Sequence, residues 1–423
     1  MSPFLAKIVV GVISFVMLAL CRTPLNVLIF YILYRPVVQP FAFLGYTIVG
    51  SIPLTSVFAI AMIVIGFGQA CVSKGSTLFP PNSVPLYSIS FLGICSLIYT
   101  VSFVDTVSSI FKFLLALSVW LIAYNSIRSM CDFKKILYAF AYSSIIPSIY
   151  GYYQYFTNTG HAWKSDYYAG SRIDSFLGEY NAYGEFLCLS IFGALTALIL
   201  ERKNKKRLFL VAVIANSLCS LILSLNRGSW LAITFSLAFA SIVALKAKSL
   251  KYMVIIGVVV SIAFGSVILQ RFEELNTRSE YGEKNTLTGR VAGWIALVPL
   301  IEKQVFFGYG AGTSTKVFEM YFGKSQDPHN DYIRIWCELG IFALLFYLFF
   351  LSKEVFVNFI RSLSPPFYKF PVFACSIYMF VMSITQNIYI NVTIFPMAMT
   401  LFAAMHKLNV CKFFIKASCD RVD

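Results

Sequence analysis

Apolar runs of about bilayer length follow one another along almost the whole chain, and this recurrence constrains its architecture more than any other feature. A run of about 20 apolar residues, wound as a helix, matches the hydrocarbon core of a membrane. Lipid offers the backbone no hydrogen bonds, so each run must close its own as an α-helix. Hydrophobic residues make up 58% of the chain and charged residues 13%, against roughly 25% charged in a soluble domain. The expected fold class is therefore an all-α polytopic integral membrane protein, with residues 1–423 as a single membrane domain.

Charge sets the sidedness. The net charge of +15 is concentrated in short loops such as 201–207 and 246–251. Short basic loops mark the cytoplasmic side, so the excess points away from a nucleic-acid partner. Spans are expected near 53–72, 85–104, 106–124, 134–155, 183–200, 208–225, 229–245, 252–269, 339–357, 370–384 and 388–405. At least one crossing within the first fifty residues, including the apolar stretch Phe4 to Leu20 read as a retained span, brings the total to about 12. The loops at 156–182 and 270–338 then share the outer face with Arg227. The insert at 270–338 is the one long loop, and its stretch 270–337 balances eight basic against eight acidic residues. The ten cysteines are scattered without a C-x-x-C pair and read as small buried hydrophobes.

A few polar residues stand out against this background. Arg227 lies at a span end on the outer face, where positive-inside bias does not favour it, and beside Gly228. There it suits an anion clamp. Arg290 opens an amphipathic stretch in which Trp294, Leu297, Val298 and Ile301 share a face. From the first turn of such a helix, an Arg and the free backbone N–H groups together would meet a phosphate. Arg172 is a further candidate phosphate ligand in a polar island that runs through Glu179 and Asn181. Gly308-Tyr309-Gly310 fits a tight turn or a close approach of backbone to a ligand. His329 is one of three His and sits between Asp327 and Asp331, with Pro328 to fix the turn and Asn330 or Asp331 to cap the following helix. A general base is its best role, because its ordinary pKa lies near working pH. No second His or carboxylate stands beside it at metal-ligand spacing within its own element, so no metal site is expected.

Taken in order, Asn226-Arg227-Gly228-Ser229-Trp230, Thr288-Gly289-Arg290…Trp294, Phe307-Gly308-Tyr309-Gly310, Pro328-His329-Asn330-Asp331-Tyr332 and Glu338-Leu339-Gly340 resemble the bacterial O-antigen ligase/polymerase superfamily. The motif resemblance covers about residues 170–350, and Asn226 stands where many members have Ser. It implies a GT-C-like membrane glycosyltransferase in the bacterial inner membrane, with its active site on the periplasmic face and short helices in the large periplasmic loop. The donor it implies is a glycan on undecaprenyl diphosphate, with no metal and no cofactor. It implies His329, Arg227 and Arg290 as catalytic residues, with Arg172, Asn181, Gly308, Tyr309, Gly310, Asn330 and Tyr332 as substrate-binding positions. A flippase and a chain-length regulator are the expected protein partners. A polymerase extending lipid-linked repeat units is the favoured member, and a ligase acting on lipid A-core is the alternative. A transporter or flippase would need broken helices in repeated halves, and no internal repeat is visible.

Overall fold

A computed structural model describes residues 23–43, 47–49, 52–165, 168–244, 286–363 and 367–410. The expected spans at Phe4 to Leu20 and 252–269, and the first part of the long loop, lie outside the described residues.

Helices dominate. In chain order they are α1 (Pro24–Phe43), α2 (Leu54–Val72), α3 (Val84–Cys95), α4 (Phe103–Ser126), α5 (Met130–Ser143), α6 (Ile145–Thr157), α7 (Tyr180–Leu200), α8 (Asn204–Leu223), α9 (Arg227–Ala244), α10 (Thr286–Lys303), α11 (Ser314–Phe322), α12 (Asp331–Ser362), α13 (Phe370–Met382) and α14 (Ile394–Val410). Two short antiparallel hairpins supplement the all-α expectation: β1 (Thr47–Val49) with β2 (Ile52–Pro53), and β3 (His161–Ser165) with β4 (Tyr168–Arg172). Among the described residues α4, α7, α8 and α12 are long and apolar enough to cross a membrane, while α1, α2, α3, α13 and α14 hold shorter apolar segments. This is the architecture of a polytopic helical membrane protein.

Burial ranks the helices. The apolar window of α7 is 78% buried and that of α8 33%, so α7 runs through the centre and α8 faces lipid. α7 packs on α5, α8 and α13, while α4 packs on α2, α3 and α14. Trp120, Phe140, Phe186, Phe192, Phe350, Phe373 and Phe402 fill the shared core. Helix bounds differ from the apolar runs where backbone chemistry intervenes. The run at 134–155 breaks at Ser144 between α5 and α6, because Pro147 lacks the N–H that would bond back and its ring crowds the preceding turn. The last long span starts at Asp331 rather than 339, since Asn330 caps it by accepting the Ile333 N–H at 3.1 Å.

The loop between α9 and α12 carries its own small core. Leu297, Leu300 and Ile301 of α10 meet Val317 and Phe318 of α11, Tyr309 and Cys337. Val298, expected on the same face, is 45% exposed while Leu300 is 4% exposed. The buried stripe is thus rotated toward Leu300.

A glycine turn locks this loop onto α12. The N–H groups of Tyr309 and Gly310 donate to the carbonyls of Cys337 and Glu338 at 3.0 and 2.8 Å, and Ile341 N–H donates to the Val305 carbonyl at 2.8 Å. Here α12 is broken at Gly340, with φ +78° and ψ −177°. A Cβ at Gly340 would lie 2.0 Å from the Phe306 carbonyl oxygen, and one at Gly308 would lie 2.4 Å from the Glu338 carbonyl carbon. Both positions need glycine for its positive φ and for room.

His406 is buried in α14. Its Nε2 lies 2.8 Å from Glu354 Oε1 and its Nδ1 3.0 Å from Arg361. Asn82 and Asn358 also donate to Glu354. A buried carboxylate needs such donors.

Candidate active site

Five polar segments converge at one end of the bundle: the entry to α7, the α8–α9 corner, α10, the approach to α12 and the α13–α14 turn.

His329 occupies the approach to α12 with φ +47°, a conformation rare for a residue with a Cβ and frequent at functional sites. Its neighbours impose it. The His329 backbone N–H donates to Asp327 Oδ1 at 3.0 Å, an Asx-type turn. The Trp294 indole N–H donates to the Pro328 carbonyl at 2.7 Å, so α10 holds the peptide just before the imidazole. Asp327 also accepts from Arg334 Nη2 at 2.5 Å and from Asn387 Nδ2 at 2.5 Å. The His329 ring meets Asn387 through Nδ1 at 3.4 Å, a long contact that leaves the ring only loosely held. With Asn387 donating, Nδ1 presents the lone pair and Nε2 carries the proton.

The electrostatics keep His329 neutral. Burial pulls its pKa below the ordinary value, the Asp327 carboxylate opposes this, and Arg290 and Arg334 reinforce it. Burial pushes Asp327 up, but the Arg334 charge, the His329 ring and two hydrogen bonds outweigh it and hold the carboxyl below its usual range.

Arg290 lies in the second turn of α10, because the helix starts at Thr286 and not at Arg290. The backbone N–H at Arg290 is engaged within the helix, so the expected pairing of this side chain with free N–H groups of its own turn does not arise. Arg290 Nη1 donates to the Thr385 carbonyl at 2.8 Å. Burial draws the guanidinium pKa down, and Tyr180, Glu185, Glu179 and Asp327 counter it. Arg227 opens α9, half-buried. Asn226 caps that helix by accepting the Ser229 N–H at 3.2 Å, and its Nδ2 donates to the Asn181 carbonyl at 3.2 Å. Gly228 lies beside Gln386, the neighbour of Arg290's partner Thr385. Arg172 is buried and stacks over the Tyr180 ring at 4.5 Å.

The remaining candidates have local tasks. Asn330 caps α12. Tyr332 donates its hydroxyl to the Phe380 carbonyl at 2.8 Å. Tyr309 donates its hydroxyl to the Leu300 carbonyl at 2.9 Å. Gly308, Tyr309 and Gly310 thus approach the backbone of α12, where the sequence left open a ligand. They meet the site through Glu338, which accepts from Gly312 N–H, Ser314 and Tyr389 and lies 3.9 Å from Arg334.

Sequence reasoning missed Glu185, Arg334, Thr385 and Asn387. For Thr385 and Asn387 the signal was the short polar stretch Thr385-Gln386-Asn387 between the expected spans 370–384 and 388–405. Among the described residues no three His, Cys, Asp or Glu side chains form a group able to hold a metal.

Residues 211–348 match the protein-family model described as O-antigen ligase. Over this segment the chain is similar to the O-antigen ligase family. No curated protein matches the chain. The O-antigen ligase match, about a third of the chain, takes in Arg227, Arg290, the glycine turn, His329 and the break at Gly340. It does not reach Arg172, Asn181 or the α13–α14 turn. An O-antigen ligase/polymerase-type membrane enzyme is a glycosyltransferase-like catalyst, and the convergent Arg and His residues are suited to that class.

Proposed function

We propose that this protein polymerises a surface polysaccharide by transferring the growing glycan from undecaprenyl diphosphate to the next lipid-linked repeat unit at the periplasmic face. The observation that carries the reading is a neutral His329, held at positive φ, within electrostatic reach of the Arg290 guanidinium. Arg290 and Arg227 hold the donor diphosphate, for which a planar guanidinium gives matched hydrogen bonds. The acceptor hydroxyl oxygen attacks the anomeric carbon and its proton passes to His329. The bond from anomeric carbon to phosphate oxygen breaks, the diphosphate leaves on the lipid, and the configuration inverts. The arginines stabilise the charge on the leaving group. No metal or cofactor takes part. The protein crosses the inner membrane about twelve times.

The family description favours a second reading, a ligase with lipid A-core as acceptor. Purified protein given a lipid-linked repeat unit as donor decides between them. Chain growth on a second repeat unit supports the polymerase, and transfer only to lipid A-core replaces it with the ligase. Loss of transfer in chelator, restored by one divalent ion, would overturn the metal-free mechanism.

A further inference from the structure

Glu185 is 3% exposed on α7, one helical turn beyond Asn181 and on the same face. Among the described residues, no donor hydrogen-bonds its carboxyl, which lies within electrostatic reach of Arg290, Asp331 and Glu179. The other two carboxyls each have donors on at least one oxygen. Glu179 is exposed to solvent and accepts from Asn181. Asp331 accepts from the Tyr347 hydroxyl and the N–H groups of Ile388 and Tyr389. Glu185 accepts from no donor among the described residues and is 3% exposed, and a nearly buried carboxyl without a donor is expensive. Among the described residues no ion pair joins it to Arg290, so neither side chain satisfies the other and each can pair with a bound group.

Building on the proposed function, we infer that Glu185 is a sugar-binding residue. Its carboxyl accepts the hydrogen bond from the hydroxyl or amide N–H on the carbon next to the anomeric centre of the donor. That substituent lies closest to the diphosphate in any glycosyl diphosphate. A diphosphate on Arg290 therefore brings it toward Glu185. A hydroxyl and an acetamido group both offer a proton there, so the contact fits either sugar class. Hydrogen bonds at this position strengthen as the anomeric carbon gains positive charge.

The test is equilibrium binding by the detergent-purified full chain. The probes are bare undecaprenyl diphosphate and the same lipid carrying glucose, galactose, N-acetylglucosamine or a 2-deoxy hexose. The wild type should bind at least one of the first three sugars about 10- to 100-fold more tightly than the bare lipid. The 2-deoxy lipid should lose that preference. Glu185→Ala should abolish it, while Glu185→Gln, close to isosteric and still an acceptor, should keep part of it. Bare-lipid binding should not weaken in either variant. A wild type without preference, a 2-deoxy lipid bound equally well, or a Glu185→Ala protein that keeps the preference would each overturn the inference. Arg290→Ala tests the underlying reading separately. Unchanged bare-lipid binding in that variant would remove the diphosphate role while leaving the sugar comparison readable.

Discussion

At the scale of single residues, the site depends on how firmly neighbours hold three side chains. As the proposed base, His329 must be neutral and keep a lone pair available, which here is the Nδ1 pair that Asn387 contacts only loosely. Replacement by Gln keeps hydrogen bonding but cannot take the proton, so both Gln and Ala should lower turnover about 10²- to 10⁴-fold. Near-normal turnover in Gln would assign His329 to positioning. The direction of its pKa gives a second check. A lowered pKa keeps the base neutral into mildly acid solution, so the acid limb of kcat/KM should fall below pH ~6.5. Asp327 is the charge that raises the His329 pKa, so Asp327→Asn should move the limb further toward acid whatever its effect on rate. A limb moving toward alkaline pH would contradict the assigned electrostatics. Arg227→Ala and Arg290→Ala should each abolish transfer without preventing insertion, and Lys should restore only part of it. Arg227 and His329 were legible in the sequence because each is a polar residue where a greasy chain has little reason to keep one. Asn387 and Thr385 were not, since amides and hydroxyls are common in any loop between spans. Glu185 was hidden because one carboxyl near a span entrance looks like a solvated end.

Among elements, α12 matters most. Its 32 residues are two helices joined at Gly340, and the sequence shows only an uninterrupted apolar period there. Positive φ is a property of the fold, and Gly340 is spelled like any helix glycine. Gly340→Ala should therefore cost more than the torsion alone, because its Cβ meets the Phe306 carbonyl. Gly323, at φ +68° with open space around it, isolates the torsional part, about 1–2 kcal/mol. Thermal unfolding in detergent should rank wild type above Gly323→Ala and Gly323→Ala above Gly340→Ala. Equal losses in the two variants would mean that the close approach adds nothing. The rotation of the α10 stripe toward Leu300 has a similar origin. Its position is set by α11 and the first half of α12, partners that a helical wheel of α10 alone does not contain.

Across the whole molecule, polar contacts gather at two ends. Arg172, Asn226, Arg290, His329 and Asn387 occupy one, and Asn82, Glu354, Arg361 and His406 the other. In the proposed topology the first group is the periplasmic one. In a cysteine-free variant, a Cys at Lys324 should react with an impermeant thiol reagent in cells whose outer membrane alone is opened. A Cys at Lys203 should react only after the inner membrane is breached. The reverse pattern would invert the molecule and remove the periplasmic site. The break in α12 also carries a message for anyone exchanging parts between relatives. The hydrogen bonds from Tyr309, Gly310 and Ile341 stitch loop to helix on both sides of Gly340, so the bilayer edge near residue 330 is not where the modules part. A chimera that swaps the outer loop but keeps the host helix from Asp331 onward severs that stitching. The heritable cassette is the loop together with the first eleven residues of α12, and its natural seam lies just past Ile341.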